Sequence, residues 1–552
     1  MKKYLSLLSF ALLLCGGLKA RDCQSSSGLL SCSNSSSCSD CNSNNCSCEC
    51  KVTSKSFLSM RGYFDDPTAP PKVSLIRSAV QEMQSNNGNL FQVVPFGGST
   101  IHPKLLAWYF GPSCKRVLTV ATNPGTDVDI LAENLGIYVQ SGQNFQSTFC
   151  LSPKQTFAGV GFNYRTHFWC NDRNRGFFLD ITLPVSSVEN SVNLEELVTD
   201  AGGGPLVTGG PANVTEAFKQ SSWCFGRIND CNKMKKTGVS MLDLQLGYGW
   251  GRDQAHMHSY IGVMIPTGNK VHSNYLFEPI VGWNHHTAVH FGSNFGVELW
   301  HDECRDWTIW YELAIDSRYF FENKQYRSFD LKGKPWSRYM QVYTNKAQAQ
   351  EAFVACGSPV DCSTGQTTAG LTSGTPGINI FTQQVKVRPR FQRSYNTAFV
   401  FDLKDLIIEG GYNFFSNDQE CVKLACSWDR LVGIQTERQD DGTYIAIDGP
   451  ALKAAANGCG CTNSAQTINA SLPGETDPFS AYQDNIITAD QLDLSSAESP
   501  CSLRHWLYGS VGYTLDCGSV RTLLGVGGSY EFAGDNGSVD RWGVWGKIGV
   551  IF

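Results

Sequence analysis

Apolar and polar residues alternate with a period of two through much of the chain after residue 53. The pattern is clearest in the closing segment RWGVWGKIGVIF, residues 541–552. One face of this segment carries Trp542, Val544, Gly546, Ile548, Val550 and Phe552. The opposite face begins with Arg541 and includes Lys547 and two glycines. A period of two predicts a β-strand whose two faces meet different environments.

Twelve segments share this pattern, and most have the length of about 9–11 residues that a membrane-crossing strand needs. The segments are 158–169, 176–185, 241–250, 256–269, 275–283, 289–300, 307–321, 396–403, 406–415, 506–515, 520–532 and 541–552. Residues 57–64 and 135–141 are additional strand candidates. Bacterial single-chain barrels have an even number of strands, so we expect about fourteen, within a range of 12–16.

Three inserts interrupt the strand pattern, near 186–238, 322–384 and 416–504. They hold glycine runs, short helix-like pieces and cysteines. A membrane barrel has short turns at one end and long loops at the other. The inserts are therefore predicted to be external loops or constrictions folded into the pore.

A soluble β-sandwich or propeller also has alternating strands and is the competing interpretation. Two features favour a membrane barrel instead. The apolar faces end in aromatic residues such as Tyr248 and Trp250, as in the girdles at a lipid–water boundary. The opposite faces carry charged residues and glycine in mid-strand, where a sandwich core would be apolar. We therefore predict an all-β, transmembrane, antiparallel up-and-down barrel over residues 53–552.

The first twenty residues read as a secretory signal peptide, with Lys2 and Lys3 before an apolar core and a cleavage site after Ala20. A lipoprotein with Cys15 as lipid acceptor is a weaker alternative, because Leu14 stands where a small residue is usual. Residues 21–52 form a Ser/Cys-rich segment typical of a flexible linker. The net charge of -6 over 552 residues indicates no nucleic-acid partner.

The chain has 22 cysteines, which in an exported protein favours disulfides. The candidates are Cys23, Cys32, Cys38, Cys41, Cys46, Cys48, Cys50, Cys224, Cys231, Cys356, Cys362, Cys421, Cys426, Cys459 and Cys461. The spacing of Cys38 and Cys41 would also suit zinc, but no histidine pattern follows it. The pairing is left open, and a bridge to another copy or to other envelope proteins is an alternative use of these thiols.

A terminal Phe552 preceded by Val550, Ile548 and Val544 resembles the closing-strand signal of bacterial outer-membrane β-barrel proteins. The resemblance implies location in the outer membrane, contact with its lipid bilayer, and recognition of this strand by the barrel-assembly machinery. The cysteine-rich character is similar to that of major outer-membrane proteins and porin-like barrels of obligate intracellular bacteria.

A barrel of this size is too wide for its side chains alone to fill, so a polar lumen would hold water. The lumen-facing charge candidates are Arg165, Asp180, Asp243, Glu298, Glu312, Arg318, Arg541 and Lys547. Their signs are mixed, which predicts weak ion selectivity. Each could instead form a salt bridge within the lumen with no role in transport.

Of the six histidines between residues 256 and 290, five are candidate pore or metal-binding residues: His256, His258, His285, His286 and His290. We interpret them as hydrogen-bonding pore residues rather than metal ligands. The chain contains neither an H-E-x-x-H nor a G-x-S-x-G motif. We therefore expect no enzyme activity, no cofactor and no metal. The sequence favours a porin-like channel for small hydrophilic solutes, with a disulfide-linked structural envelope protein or adhesin as the alternative.

Overall fold

The computed structural model describes residues 54–76, 80, 88–111, 117–122, 129–139, 143–171, 175–205, 209–229, 233–252, 254–343, 374–435, 437–438, 444–445, 467–468, 487–517, 520–535 and 540–552. Its main feature is a closed antiparallel barrel of twelve strands. In chain order, β1 to β12 are Asn89–Thr100, Lys154–Asn171, Arg175–Ser191, Met241–Arg252, Ala255–Pro266, Ala288–Asp302, Trp307–Phe320, Arg390–Leu403, Leu406–Asn417, Ser502–Cys517, Val520–Asp535 and Arg541–Ile551.

Each strand pairs with the next strand along the chain, so the topology is up-and-down. The ring closes between β1 and β12, where Leu90 pairs with Ile551 and Thr100 pairs with Arg541. A thirteenth strand, Met234–Val239, pairs with the end of β3 outside the closed ring. The strand number of twelve lies at the lower end of the predicted range and keeps the expected even count.

The two ends of the barrel differ in the length of their connections. At one end the strands are joined across residues 172–174, 253–254, 303–306, 404–405 and 518–519. At the other end the connections are 101–153, 192–240, 267–287, 321–389, 418–501 and 536–540. We call these the short-turn end and the insert end. The three predicted inserts all belong to the insert end, together with 101–153 and 267–287.

The inserts form a cap with its own small sheets. One sheet contains Val117–Ala121, Ile130–Leu131, Phe145–Leu151 and Leu194–Ala201. A second contains Asn323–Ser328, Thr382–Arg388 and Cys421–Leu424. The shorter pairings involve Asp330–Leu331, Leu492–Asp493, Gln341–Tyr343, Thr375–Pro376, Gly433–Gln435, Thr467–Ile468, Glu437–Arg438 and Tyr444–Ile445.

Helices are short throughout the described residues. The α-helices are Pro70–Val73, Ala107–Phe110, Val214–Ala217 and Gly377–Ile380. The 3-10 helices are Pro103–Leu106, Ala132–Leu135, Ser337–Tyr339, Ala489–Gln491 and Leu494–Ala497. None of the helices in this part of the chain has the length and apolarity to cross a membrane.

The largest apolar core lies in the cap and not in the barrel. It is built around fully buried aromatic residues such as Phe149, Phe218, Trp223 and Trp336, and it includes Leu58 from the amino-terminal segment. The rings of these aromatic residues contact one another. The cap therefore has an apolar core of its own.

The barrel's outer surface is apolar, as the alternation predicted. Leu246, Ile261, Phe291 and Val526 are each about half or more exposed in mid-strand. Exposed aromatic side chains lie near both ends, for example Trp169 at the short-turn end and Trp542 at the insert end. The outer surface of the barrel is thus an apolar belt with aromatic borders, as expected for a surface that contacts lipid.

Three predicted strands were wrong. Residues 275–283 lie in the connection between β5 and β6, and residues 57–64 form no strand. In the segment 135–141, of which residues 135–139 are described, Leu135 ends a 3-10 helix and Val139 forms only an isolated bridge. The first barrel strand, Asn89–Thr100, was not predicted. Pro95 and the pair Gly97 and Gly98 give this strand the composition of a turn, although Pro95 pairs in register with Val160.

Candidate functional site in the barrel lumen

A stretch of the chain before β1 fills the lumen. We call residues 54–76 the plug. Its first residues lie in the cap, where the Lys55 ammonium donates to the Ser495 carbonyl oxygen at 2.6 Å. Farther along, Val80 packs on Leu90 and Ile551 at the short-turn end. The plug therefore traverses the barrel from the insert end towards the short-turn end.

Asp66 is the centre of the plug's polar contacts. Its carboxylate lies 3.1 Å from Arg61 of the plug and 3.0 Å from Arg318 of β7. It also accepts hydrogen bonds from the backbone and hydroxyl of Thr68. Arg318 in turn pairs with Asp316 at 3.0 Å. All these charged groups are buried, so each needs its partners to offset the cost of leaving water.

The charge network continues across the lumen through His290. One ring nitrogen of His290 is 2.9 Å from Asp316 and the other is 2.8 Å from Asp243. Lys72 of the plug lies 4.0 Å from Asp243 and 3.4 Å from Asp180. A continuous chain of opposite charges thus joins the plug to strands β3, β4, β6 and β7.

The closing strand β12 holds the backbone of the plug. Arg541 donates to the carbonyl oxygen of Arg61 at 2.8 Å. Lys547 donates to the carbonyl oxygens of Lys72, at 3.0 Å, and Ser74. Inward-facing residues of the last strand therefore hydrogen-bond to a segment more than four hundred residues earlier in the chain.

Glycines in the wall make room for the plug's large side chains. A Cβ atom added to Gly161 would lie 2.3 Å from the ring of Phe64. A Cβ added to Gly543 would lie 2.3 Å from the Tyr63 hydroxyl oxygen. Both distances are far below ordinary van der Waals contact. The wall and the plug are therefore complementary in shape as well as in charge.

A small chamber with a volume of about 80 Å³ remains beside the second half of the plug, and both charged and apolar residues line it. Its lining includes Lys72, His256, His258, Glu312 and Glu409. His256 lies 3.2 Å from Glu312 across strands β5 and β7. Glu409 accepts a hydrogen bond from the backbone N–H of Leu75 at 2.7 Å. The chamber is thus bounded by paired charges of both signs.

The structure places seven of the eight lumen candidates at plug contacts, ion pairs or the chamber wall. These are Arg165, Asp180, Asp243, Glu312, Arg318, Arg541 and Lys547. Glu298 occupies the remaining inward position, at a register shift near the short-turn end, and is partly exposed. The pairing explains how these charges are accommodated, and their effect on permeation stays a prediction. The plug residues Arg61, Asp66 and Lys72 were not predicted as site residues.

The histidines separate into two groups. His256, His258 and His290 face the lumen, whereas His285 and His286 lie in the connection before β6. Among the described residues, no three side chains of His, Cys, Asp or Glu are placed to hold a metal ion.

His286 is held in the neutral form at the insert end. Its Nδ1 is 2.8 Å from the Phe321 carbonyl oxygen, and its Nε2 is 2.7 Å from the Gln325 amide nitrogen. The Gln325 oxygen is already used by Asn284 and Arg327, which fixes the orientation of the amide. Nε2 must therefore accept a hydrogen bond, and burial lowers the pKa of His286 to about 4.

The predicted disulfide positions fall into two sets. Cys224, Cys421 and Cys426 are free thiols in the cap, which does not support disulfides at these three positions. The candidates Cys23, Cys32, Cys38, Cys41, Cys46, Cys48, Cys50, Cys231, Cys356, Cys362, Cys459 and Cys461 lie outside the described residues.

The closing-strand residues lie on the lipid side of the barrel. Val544, Ile548 and Phe552 are about half exposed on the outer face of β12, and Val550 shares that face. Only helices and closed barrels satisfy every backbone hydrogen bond within lipid, and bacterial barrels combine short turns with long opposite loops. The chain is an outer-membrane β-barrel protein.

Solved structures similar to this barrel are also outer-membrane proteins. An outer-membrane channel from Pseudomonas putida F1 aligns with 84% of this chain and 96% of its own, at 8% identity and a TM-score of 0.37. The transport unit of the Escherichia coli autotransporter AIDA-I covers 86% and 96%, at 6% identity and 0.29. A Pseudomonas aeruginosa FadL homologue covers 91% and 98%, at 8% identity and 0.27.

No protein-family model and no curated protein matches the chain. At such TM-scores the neighbours differ from this barrel in detail. The assignment to the outer membrane therefore rests on the closed ring, its apolar belt and its unequal ends.

Proposed function

We propose that this protein is an outer-membrane channel for passive diffusion of small hydrophilic solutes, and that the plug and cap hold it closed in this conformation. The observation that carries the proposal is the kind of residues that fill the lumen. A separate segment fills the space, and it meets the wall through charged and polar groups such as Asp66 and Arg318. A polar wall of this kind would support water and solutes once the plug moved.

The chamber beside the plug supports the same function. Pro67, Lys72 and Ile76 form part of its lining, so the chamber is free space next to the half of the plug that would have to move. The anchoring of the plug's first residues in the cap would remain in place during such a shift. Opening would require the plug to leave its contacts in the lumen, including those of Asp66 with Arg318 and of Lys72 with Asp180.

A disulfide-linked structural protein or adhesin is the second candidate. It needs cysteines that cross-link the protein within the envelope. Cys224 and Cys426 are exposed thiols that such a bridge to another protein could use, although the structure, which holds one chain, gives no observation that favours this role over the channel.

The test is single-channel recording of the refolded mature protein in a planar lipid bilayer. Asp66→Asn removes the carboxylate that joins Arg61 to Arg318, and we expect it to increase the open probability about tenfold or more over the wild type. Asp418→Asn is the matched control, since Asp418 pairs with Arg393 at 3.1 Å at the rim and does not contact the plug.

The outcomes separate the interpretations. Discrete openings that become frequent only with Asp66→Asn would support a plugged channel. A salt gradient across the same bilayer should give a small reversal potential, because the lumen charges have mixed signs. If folded and inserted wild-type and Asp66→Asn proteins are both silent, the channel proposal fails.

A further inference from the structure

The cap contains an extension of the barrel wall that carries a row of lysines. The strands Asn323–Ser328, Thr382–Arg388 and Cys421–Leu424 form a three-stranded antiparallel sheet at the insert end. They lie within a few residues of the ends of β7, β8 and β9, respectively. The sheet therefore continues the wall beyond the apolar belt.

The two faces of this sheet differ completely. Val385 and Val387 are fully buried in the cap core. On the opposite face, Lys324 pairs in register with Lys386, and Lys386 pairs in register with Lys423. Lys324 and Lys423 are exposed and Lys386 is half-buried. We call these three residues the lysine ladder.

A row of like charges across a sheet is unfavourable unless something neutralises it. Neighbouring strands lie about 4.7–4.9 Å apart, and like charges directly opposite each other destabilise a sheet. No carboxylate in the described part of the chain pairs with any lysine of the ladder. Glu322, two residues before Lys324, is engaged by Arg388 at 3.2 Å. The ladder thus presents three uncompensated positive charges.

The position of the ladder indicates what could compensate them. Tyr319, Phe321 and Phe391 form an aromatic cluster at the insert end, with ring centroids 5.6 and 5.0 Å apart. Lys324 follows Phe321 by three residues, or roughly 10 Å of extended chain, which at the usual strand tilt of about 35–45° is a height of about 7–8 Å. Aromatic girdles mark the edge of the hydrocarbon core, and the headgroup layer beyond it is about 5–8 Å thick. The ladder therefore stands at the level of lipid phosphates.

We propose that the lysine ladder binds the phosphate groups of an anionic lipid in the leaflet at the insert end. Lysine ammonium groups act as point charges for phosphate, and a row of three matches a headgroup with one or more phosphates. The surface is continuous with the lipid-facing wall, so a bound lipid keeps its acyl chains against the belt. This site lies outside the lumen and does not depend on the channel function.

The test measures lipid retention on the full-length folded protein by native mass spectrometry in a neutral detergent. Equal amounts of phosphatidylglycerol and phosphatidylcholine serve as probes. We expect the wild type to retain phosphatidylglycerol, and Lys324→Gln/Lys386→Gln/Lys423→Gln to retain about tenfold less. The matched control is Lys235→Gln/Lys236→Gln, which neutralises two exposed lysines on the strand Met234–Val239.

Each outcome decides the proposal. Loss of phosphatidylglycerol in the ladder variant alone, with recovery when the same three positions carry arginine, would support it. Equal retention by the ladder variant and the wild type would overturn it, as would equal retention of phosphatidylcholine. Displacement of the lipid by millimolar inorganic phosphate would show a site for soluble phosphate and would overturn the lipid assignment. Heat-dependent gel migration confirms that every variant is folded.

Discussion

The contact between Gly161 and the plug makes the strongest test of the lumen arrangement. Gly161 faces inwards on β2, and an added Cβ would lie 2.3–2.6 Å from three ring carbons of Phe64. Ordinary carbon contacts are about 3.5–4.0 Å, so Gly161→Ala requires a displacement of roughly 1 Å. Phe64 is fully buried and stacks on Phe96 with centroids 5.7 Å apart, so its ring has little freedom to move.

We expect Gly161→Ala to lower the free energy of unfolding by about 1–3 kcal/mol, the usual cost of overpacking. Phe64→Ala alone should cost about 3–5 kcal/mol as a large-to-small core change. Once the ring is absent, Gly161→Ala should cost less than about 0.5 kcal/mol. The cycle should therefore show a coupling energy of about 1–3 kcal/mol between a wall residue and a plug residue.

The assay is urea unfolding of the protein refolded in lipid vesicles, followed by tryptophan fluorescence. Gly410→Ala is the control, because no atom lies within 4 Å of a Cβ added at Gly410. It should leave the free energy of unfolding unchanged apart from a small propensity effect. If Gly161→Ala costs the same with and without the Phe64 ring, the plug does not pack on β2 and the lumen description is wrong.

Three further predictions concern the cap, the closing strand and the orientation. Because the folded-state pKa of His286 is about 4, below the usual value of 6.5, its stabilising effect is present above pH 6.5 and is lost as the pH falls towards 4. The loss is at most about 3 kcal/mol, and unfolding measured from pH 7 to 4.5 should be flatter in His286→Gln; parallel profiles would contradict this. Phe552→Ser should reduce the folded, heat-modifiable fraction in bacterial membranes several-fold if the assembly machinery reads the closing strand, and unchanged assembly would count against that role. If the insert end faces the outside of the cell, a membrane-impermeant maleimide should label Cys224 and Cys426 on intact cells but Cys304 only after permeabilisation. The reverse labelling pattern would show that the short-turn end faces outwards.

The strands were predictable because alternation is a local signal. In β12 a single period-two pattern separates Lys547 from Ile548, and the structure places them on the lumen and lipid faces, respectively. The segment 275–283 shows the limit of this signal, since it alternates but lies in a connection. Alternation reports that two faces differ, and it does not report whether a neighbouring strand is available for pairing.

The plug was not predictable from the same signal. Residues 57–64 alternate weakly, and the pairing of Arg61 with Asn413 depends on residues 352 positions apart. The only sequence signal for a functional role of the plug was the presence of charged residues such as Asp66 and Lys72 in a segment that has no strand pattern. Its location in the lumen depends on closure of the whole barrel, and a short stretch of sequence carries no information about that closure.

The contacts of the closing strand have a consequence for the order of folding. β12 must pair with β1 to close the ring, and Arg541 and Lys547 must also reach backbone atoms of the plug. The plug's first residues are packed in the cap, and Val80 is packed near the opposite end. A segment fixed in this way cannot be added sideways to a cylinder that is already sealed. We therefore expect the final strand to close around a plug that was synthesised more than four hundred residues earlier, so that the plug serves as a template for the closing barrel.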